Sequence, residues 1–316
     1  MKTIRIKDGM DPLASCVATI GFFDGVHRGH QYLIEHVVAE AKASGLESTV
    51  ITFDEHPRKV LQSDYIPKLL CTLDSKILLL SKTEIDNCAV LHFDKAMQSL
   101  SARDFMEKVL CNCLKVKKLI IGYDNRFGHN RSEDFDDYVR YGKELGIEVI
   151  HNPAFTLNGL KVSSSAIRRY IEGGEIEMAN QCLGYSYTIA GKVVEGYHEG
   201  RKLGFPTANL DISAFGQLIP APGVYAVKAR MEGSVAEYKA MMNIGTRPTF
   251  GGKEQSQEVH IFNFDENIYG RMLSVSFLHR IREEHKFDNT SDLKMQLKKD
   301  ERLVEEQFDK ENQNYE

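Results

Sequence analysis

At 316 residues, 42% of them hydrophobic, and with a formal net charge of −5, the chain has the length for two domains with substantial cores. Its mild acidity leaves no electrostatic footprint for nucleic acid, although a local basic pocket for phosphates is compatible with it. No apolar run approaches the ~18 residues of a membrane span, and Met1-Lys2-Thr3-Ile4-Arg5 opens no long apolar segment, so neither a membrane nor a nucleic-acid partner is expected and the expected location is cytoplasmic. Cys16, Cys71, Cys88, Cys111, Cys113 and Cys182 form no Cys-x-x-Cys pair, which points to reduced thiols rather than a zinc site or a disulfide framework.

The first strong element is an apolar run over 17–21 that reads as a buried strand, followed by helical periodicity near 30–44 with Gly45 as its stop. Between them lies Gly21-Phe22-Phe23-Asp24-Gly25-Val26-His27-Arg28-Gly29-His30. Strand, turn, helix is the layout of a nucleotide site: glycines let the backbone approach a ligand, and the N–H groups that open a helix have no intrahelical partners. His27 and His30 flank that opening. Imidazole N–H donors there suit the charge that develops on the oxygens of a phosphoryl group in transfer. A turn with a capping histidine fits the histidines alone; the strand, Asp24 and the helix favour the phosphate reading.

Further strands over 49–53, 88–92, 118–122 and 148–151 alternate with helices near 74–83, 101–113 and 133–145, the βαβ pattern of a doubly wound parallel sheet. Ligands of such sheets bind beyond the carboxyl ends of the strands, so the residues just past each strand are the candidates. After the second strand come Asp54-Glu55-His56-Pro57-Arg58, where Pro57 stiffens a loop on which His56 and Arg58 offer donors to a phosphate or a ring edge; a plain Pro-containing loop fits too. After the fourth come Tyr123-Asp124-Asn125-Arg126-Phe127-Gly128-His129, with Ser132 as candidate cap of the next helix. Val162-Ser163-Ser164-Ser165-Ala166-Ile167-Arg168 places three hydroxyls at a helix start with arginine one turn on. That set fits either plain caps or the grip on a polyphosphate tail.

Near Gly184 the helical pattern gives way to β-branched and aromatic alternation, which sets a boundary between 1–183 and 184–316. Strands over 187–194, 223–229, 238–244, 258–264 and 273–282, then a charged helix from Ser291, predict a small antiparallel barrel closed by a C-terminal helix. Within it, Gly196-Tyr197-His198-Glu199-Gly200-Arg201-Lys202-Leu203-Gly204-Phe205-Pro206-Thr207-Ala208-Asn209 offers glycines and cations to polyphosphate. Thr207 and Asn209, two apart in an extended segment, share a side and present neutral oxygens to Mg²⁺ carried with ATP. A β-turn after a strand fits the same residues, and the Gly-Lys-Ser/Thr of a Walker A loop is missing.

Gly-Phe-Phe-Asp-Gly-Val-His-Arg-Gly-His resembles the signature of the nucleotidyltransferase superfamily, most closely that of the prokaryotic bifunctional riboflavin kinase/FMN adenylyltransferase family. The Asp54–Pro57 stretch resembles that family's flavin-bordering loop, and Gly122 to Gly128 its Gly-x-Asp-Phe-x-Phe-Gly stretch, with Asn125 in place of an aromatic residue. Val162 to Arg168 resembles its Ile-Ser-Ser-Thr-x-Ile-Arg motif, and Gly200 to Leu210, followed by Pro222-Gly223-Val224-Tyr225, Asn243-Ile244-Gly245 and Glu258-Val259-His260, its riboflavin kinase signature.

The resemblance implies riboflavin phosphorylation to FMN in the C-terminal barrel and FMN adenylylation to FAD, with release of pyrophosphate, in the N-terminal domain. It implies catalytic roles for His27, His30 and Glu258, the last as the base for the riboflavin hydroxyl. ATP contacts are implied at Gly21, Phe22, Asp24, Gly29, Ser163, Ser164 and Arg168, and at Gly200, Arg201, Lys202 and Gly204 in the second half. Flavin contacts are implied at His56, Pro57, Asp124 and Phe127, and Mg²⁺ contacts at Thr207 and Asn209. Riboflavin, FMN and FAD are then substrates and products, no tightly bound organic cofactor is required, and oligomerisation is left open. Two other classes stay open: a nucleotidyltransferase with another acceptor, against which the kinase-like half argues, and a non-catalytic flavin-binding protein, for which a broken histidine pair or a lost Glu258 would be expected.

Overall fold

The computed structural model describes residues 1–6, 13–56, 68–123, 125–129, 132–196, 199–249 and 252–313; Pro57, Arg58, Asp124, Tyr197 and His198 lie outside these. The chain forms two compact units, Met1–Pro67 with Thr72–Ser163, and Lys68–Cys71 with Ser164–Glu316.

The first unit holds six strands, β1 (Lys2–Arg5), β2 (Cys16–Ile20), β3 (Glu47–Phe53), β4 (Asn87–Leu91), β5 (Val116–Gly122) and β6 (Glu148–Asn152), all parallel in the order β1-β4-β3-β2-β5-β6. β2 and β4 are buried at every residue, as strands covered on both faces must be. Alternate side chains feed two cores: Ala18, Ile51 and Leu119 pack with Phe105 and Leu110 on one face, while Val17, Val50 and Ile120 pack with Ile34, Val37 and Leu80 on the other. The edge strand β1 was not foreseen. It is largely exposed and carries no alternating pattern to reveal it.

Its helices are α1 (Arg28–Ser44), α2 (Leu73–Ser81), α3 (Lys95–Ser99), α4 (Ala102–Phe105), which runs on as a π-helical segment Met106–Cys113, and α5 (Phe135–Leu145). α5 is capped by Asp134, whose side chain accepts the Asp137 N–H in a capping box, and not by Ser132, whose hydroxyl binds Glu133 instead. A short hairpin, β7 (Thr156–Leu157) and β8 (Leu160–Lys161), closes the unit.

In the second unit α6 (Ser164–Gly173) and α7 (Ile176–Leu183) precede a closed antiparallel barrel, so these helices pack with the half that follows them. The barrel strands are β9 (Thr188–Val194), β10 (Ala208–Asp211), β11 (Gly223–Met231), β12 (Tyr238–Thr249), β13 (Gly252–Ile261) and β14 (Met272–Arg282), in the order β10-β13-β12-β11-β14-β9. Between β9 and β10, Glu199–Leu203 forms one short helix, α8, ended by Gly204 at φ 90°. The C-terminal α9 (Thr290–Gln313) covers one face of the barrel, with Val304 and Phe308 packed on Ala226, Met241 and Leu278. Fully buried Asp300 of α9 takes a forked pair of hydrogen bonds from Arg282.

Candidate active sites

In the first unit β2 lies where the sheet reverses direction, with β3 and β4 to one side and β5 and β6 to the other. The side-chain amide of Asn125, just past β5, donates to the Ile20 carbonyl and so fastens the two diverging strand ends. The position that departs from the family pattern thus has a structural task. Beyond β2 the chain makes a tight turn through Phe23 at φ 53°, Gly25 at φ 77° and Val26 at φ 37°. A β-branched residue in the left-handed region is strained, and such strain concentrates at functional sites.

That turn delivers His27 to the N-cap of α1. Its Nδ1 accepts the His30 N–H at 3.3 Å, so a neutral His27 carries its proton on Nε2. The two imidazoles stack with centroids 3.6 Å apart and planes 16° apart, and the His30 ring meets the Phe23 ring at 5.0 Å. Nδ1 of His30 is buried without a hydrogen-bond partner. Burial first, then the electrostatic effects of His27 and Lys76, pushes the His30 pKa well below its ordinary 6.5, so the His30 ring is neutral.

The sign of the linkage follows from that shift. As pH falls below 6.5 the unfolded chain binds a proton that the folded His30 resists, so stability is full above that pH and is lost progressively below it. Thermal unfolding of the first unit is expected to drop on acidification through 6.5, and His30→Phe to flatten that drop.

The other sequence candidates of this unit gather at the same edge of the sheet or support it. A Cβ on Gly29 would meet the His27 ring at 3.2 Å and the Val162 carbonyl at 3.3 Å, so the segment leading into Ser163 passes directly against the first turn of α1. Gly21 lies against the Phe23 ring, and Asp24 is buried in the turn. Phe22 is half-buried, with the His56 ring at 4.7 Å on one side and the Lys76 ammonium 4.1 Å from its centroid. Phe127 is different: its ring stacks on Tyr138 at 4.4 Å inside the core, so it anchors its loop rather than lining a surface. Ser164 and Arg168 belong to α6 in the second unit, where Arg168 Nε donates to the Lys68 carbonyl at 2.9 Å.

In the second unit the barrel register assembles the candidates. Asn209 of β10 stands opposite Glu258 of β13, and Glu258 stands opposite Asn243 of β12. Directly opposed residues of antiparallel strands share a face, so Asn209, Glu258 and Asn243 form one row. Asn243 stands in the stretch that resembles the kinase signature but was given no site role; a polar residue inside the apolar stretch Ala240–Ile244 was the further signal. His260, one step along the same face, uses Nδ1 to donate to the Pro206 carbonyl at 2.7 Å, which fixes the peptide that carries Thr207.

Beside Thr207 lies a cavity of about 320 Å³ lined by Arg201, Pro206, Phe264, Asn267 and Tyr269 among others. Lys202 is exposed on α8. Two glycines give this corner its hollow shape: a Cβ on Gly196 would lie 2.1 Å from Asn209 Nδ2, and one on Gly200 would lie 2.3 Å from the Phe205 carbonyl and 3.3 Å from Thr207 Oγ1. Gly196→Ala is therefore expected to displace Asn209 and slow by about tenfold or more the phosphoryl transfer that the sequence resemblance implies for this half, with the reaction implied for the first half unchanged, in parallel assays of the two.

Comparison with known proteins matches a different family model to each half of the chain. The FAD synthetase family model matches residues 10–166 and the riboflavin kinase model residues 183–308. Curated proteins named bifunctional riboflavin kinase/FMN adenylyltransferase resemble the chain along nearly its whole length. The one from Haemophilus influenzae is 40% identical, covering 91% of this chain and 92% of its own; that from Escherichia coli K12 is 35% identical, covering 98% of each. The one from Bacillus subtilis is 36% identical over 95% of this chain and 96% of its own. A crystal structure from Streptococcus pneumoniae, titled a macrolide-efflux protein, superposes with a TM-score of 0.86 at 32% identity, covering 96% of this chain and 99% of that one. Among the described residues here, no helix is long and apolar enough to cross a membrane. With both halves matched in order and relatives alike from end to end, the chain belongs to the bifunctional riboflavin kinase/FMN adenylyltransferase family.

Proposed function

We propose that the family's two reactions run in this chain at two separate centres, riboflavin phosphorylation along the Asn209–Glu258–Asn243 row and FMN adenylylation at the His27–His30 turn. The observation that carries the reading is the histidine stack at the reversal point of the sheet, with buried His27 capping α1 and His30 held neutral against it, in the half matched by the FAD synthetase family.

In the second unit Glu258 accepts the proton of the riboflavin 5′-hydroxyl as that oxygen bonds to the γ-phosphorus of ATP and the bond to the β-phosphate oxygen breaks, leaving ADP. Gly200, Arg201, Lys202 and Gly204 form the polyphosphate side. The Thr207 hydroxyl and the Asn209 amide carbonyl are neutral oxygens beside the hollow at Gly196 and Gly200, a donor set that fits Mg²⁺ held jointly with ATP phosphates and water. When bound, that ion supplies positive charge against the β- and γ-phosphate oxygens.

In the first unit the FMN phosphate is already an anion and needs no base. Its oxygen bonds to the α-phosphorus of ATP as pyrophosphate leaves. His27, through Nε2–H, and His30 donate to the oxygens on which charge grows, and the N–H groups of the first turn of α1 face the same anion. Gly21, Phe22, Asp24 and Gly29 shape the turn around ATP, and Ser163 takes the departing phosphates. His56, Pro57 and Asp124 border the flavin, with Phe127 holding the last of these loops in the core.

The test is to incubate the purified chain with riboflavin, ATP and Mg²⁺ and separate riboflavin, FMN and FAD by chromatography over time. FMN appearing first and FAD after it is expected. FAD without an FMN intermediate, or no product from either riboflavin or supplied FMN, would contradict the reading.

A further inference from the structure

Lys76 lies on α2 with 2% of its surface exposed, a rare place for an ammonium group. Its Nζ donates to the Phe22 carbonyl at 2.9 Å, the Phe53 carbonyl at 3.1 Å and Thr52 Oγ1 at 3.1 Å. Thr52 Oγ1 in turn donates to the same Phe22 carbonyl at 3.1 Å, and the ammonium sits 4.1 Å from the Phe22 ring centroid. One side chain thus grips the last residues of β3 and the first residue of the turn beyond Gly21, by its backbone and by its ring.

We propose that Lys76 is the positioning residue of the adenylyl-transfer centre, holding the turn from Phe22 to His27 against the end of β3 so that the histidine pair and the first turn of α1 meet the α-phosphate in register. The inference rests on the reading of His27 and His30 as that centre. Three facts carry it. A turn with left-handed Phe23 and Val26 persists only where its surroundings over-determine it, and Lys76 supplies that constraint at its entry. Asn125, just past β5, pins the carbonyl of Ile20 at the end of β2, so the entry to the turn is tied to the end of β3 through Lys76 and to the end of β5 through Asn125. The Lys76 charge also acts on His30, third after burial and His27 among the causes that keep that ring neutral.

The experiment uses the full chain with Lys76→Met, which keeps the length of the side chain and removes the ammonium. Removing the ammonium takes a donor from the Phe22 and Phe53 carbonyls, so some fall in the thermal midpoint is expected on either reading, and the deciding readout is kcat of the folded chain: a fall of about 10²-fold for FMN adenylylation is expected, with riboflavin phosphorylation unchanged. A purely structural lysine would give a lowered midpoint with a normal kcat in the folded fraction. A folded Lys76→Met chain that makes FAD at the parental rate overturns the proposal. Should Lys76→Met fail to fold, Thr52→Val removes one member of the same clamp and leaves α2 intact. A loss of about fivefold in kcat there, the equivalent of one neutral hydrogen bond, supports the proposal, and a parental kcat overturns it. His30→Ala in the same assay separates the failures: if it makes FAD normally the site reading itself falls, and this inference with it; if it is inactive while Lys76→Met is active, only the inference falls.

Discussion

Replacing His30 by alanine is expected to slow adenylyl transfer to FMN by about 10²–10³-fold, the range seen when one preorganised donor to a developing oxyanion is removed. His30 is the sharper probe of the two histidines. His27 also caps α1 through Nδ1, so its removal mixes a lost cap with a lost donor, whereas Nδ1 of His30 makes no hydrogen bond in the structure. The loss should appear in kcat with FMN and ATP both saturating, because the interaction grows only as charge develops at the α-phosphorus. His30→Asn, which returns an N–H donor, is expected to recover part of the rate. Riboflavin phosphorylation, measured on the same preparation, should stay at its parental level, since the stack lies wholly within the first unit.

Glu258→Gln is expected to act in the opposite sense, lowering riboflavin phosphorylation by about 10²–10⁴-fold through loss of the proton acceptor while FAD still forms from supplied FMN. Glutamine keeps the length and polarity of the side chain in a half-buried strand position, so the row with Asn209 and Asn243 should survive and the barrel should melt where the parent does. An unchanged rate of FMN formation in Glu258→Gln would remove Glu258 from the chemistry and leave it a strand residue.

The parallel sheet was legible because its central strands are apolar runs: β2 and β4 are buried at every residue, and each is followed by a turn and helical periodicity. β1 escaped because an exposed edge strand needs no apolar face. The turn at His27 and His30 was legible for the same reason as the sheet, since strand, glycines and helix follow one another without interruption. What could not be read is what tertiary pairing alone decides. The register that sets Asn243 beside Glu258 joins strands far apart in the chain. Phe127 belongs to a ligand-like motif, yet nothing in the motif says that its ring turns inward onto Tyr138. Lys76 did leave a trace: it falls on the stripe Leu73, Lys76, Ile77, Leu80 that faces the core, and a charge on an apolar stripe asks for a buried partner. Likewise Asp134, and not Ser132, caps α5, a choice between two neighbouring capping residues that the reciprocal bond with Asp137 settles.

The central claim is that two centres on separate units act in sequence through FMN. Its most direct measurement is a mixing experiment with riboflavin, ATP and Mg²⁺, using His30→Ala and Glu258→Gln chains separately and together. The account predicts that His30→Ala accumulates FMN, that Glu258→Gln leaves riboflavin unconverted, and that the mixture makes FAD as FMN released by one chain is adenylylated by the other. FAD from either variant alone at the parental rate, or a mixture that stops at FMN, would contradict it.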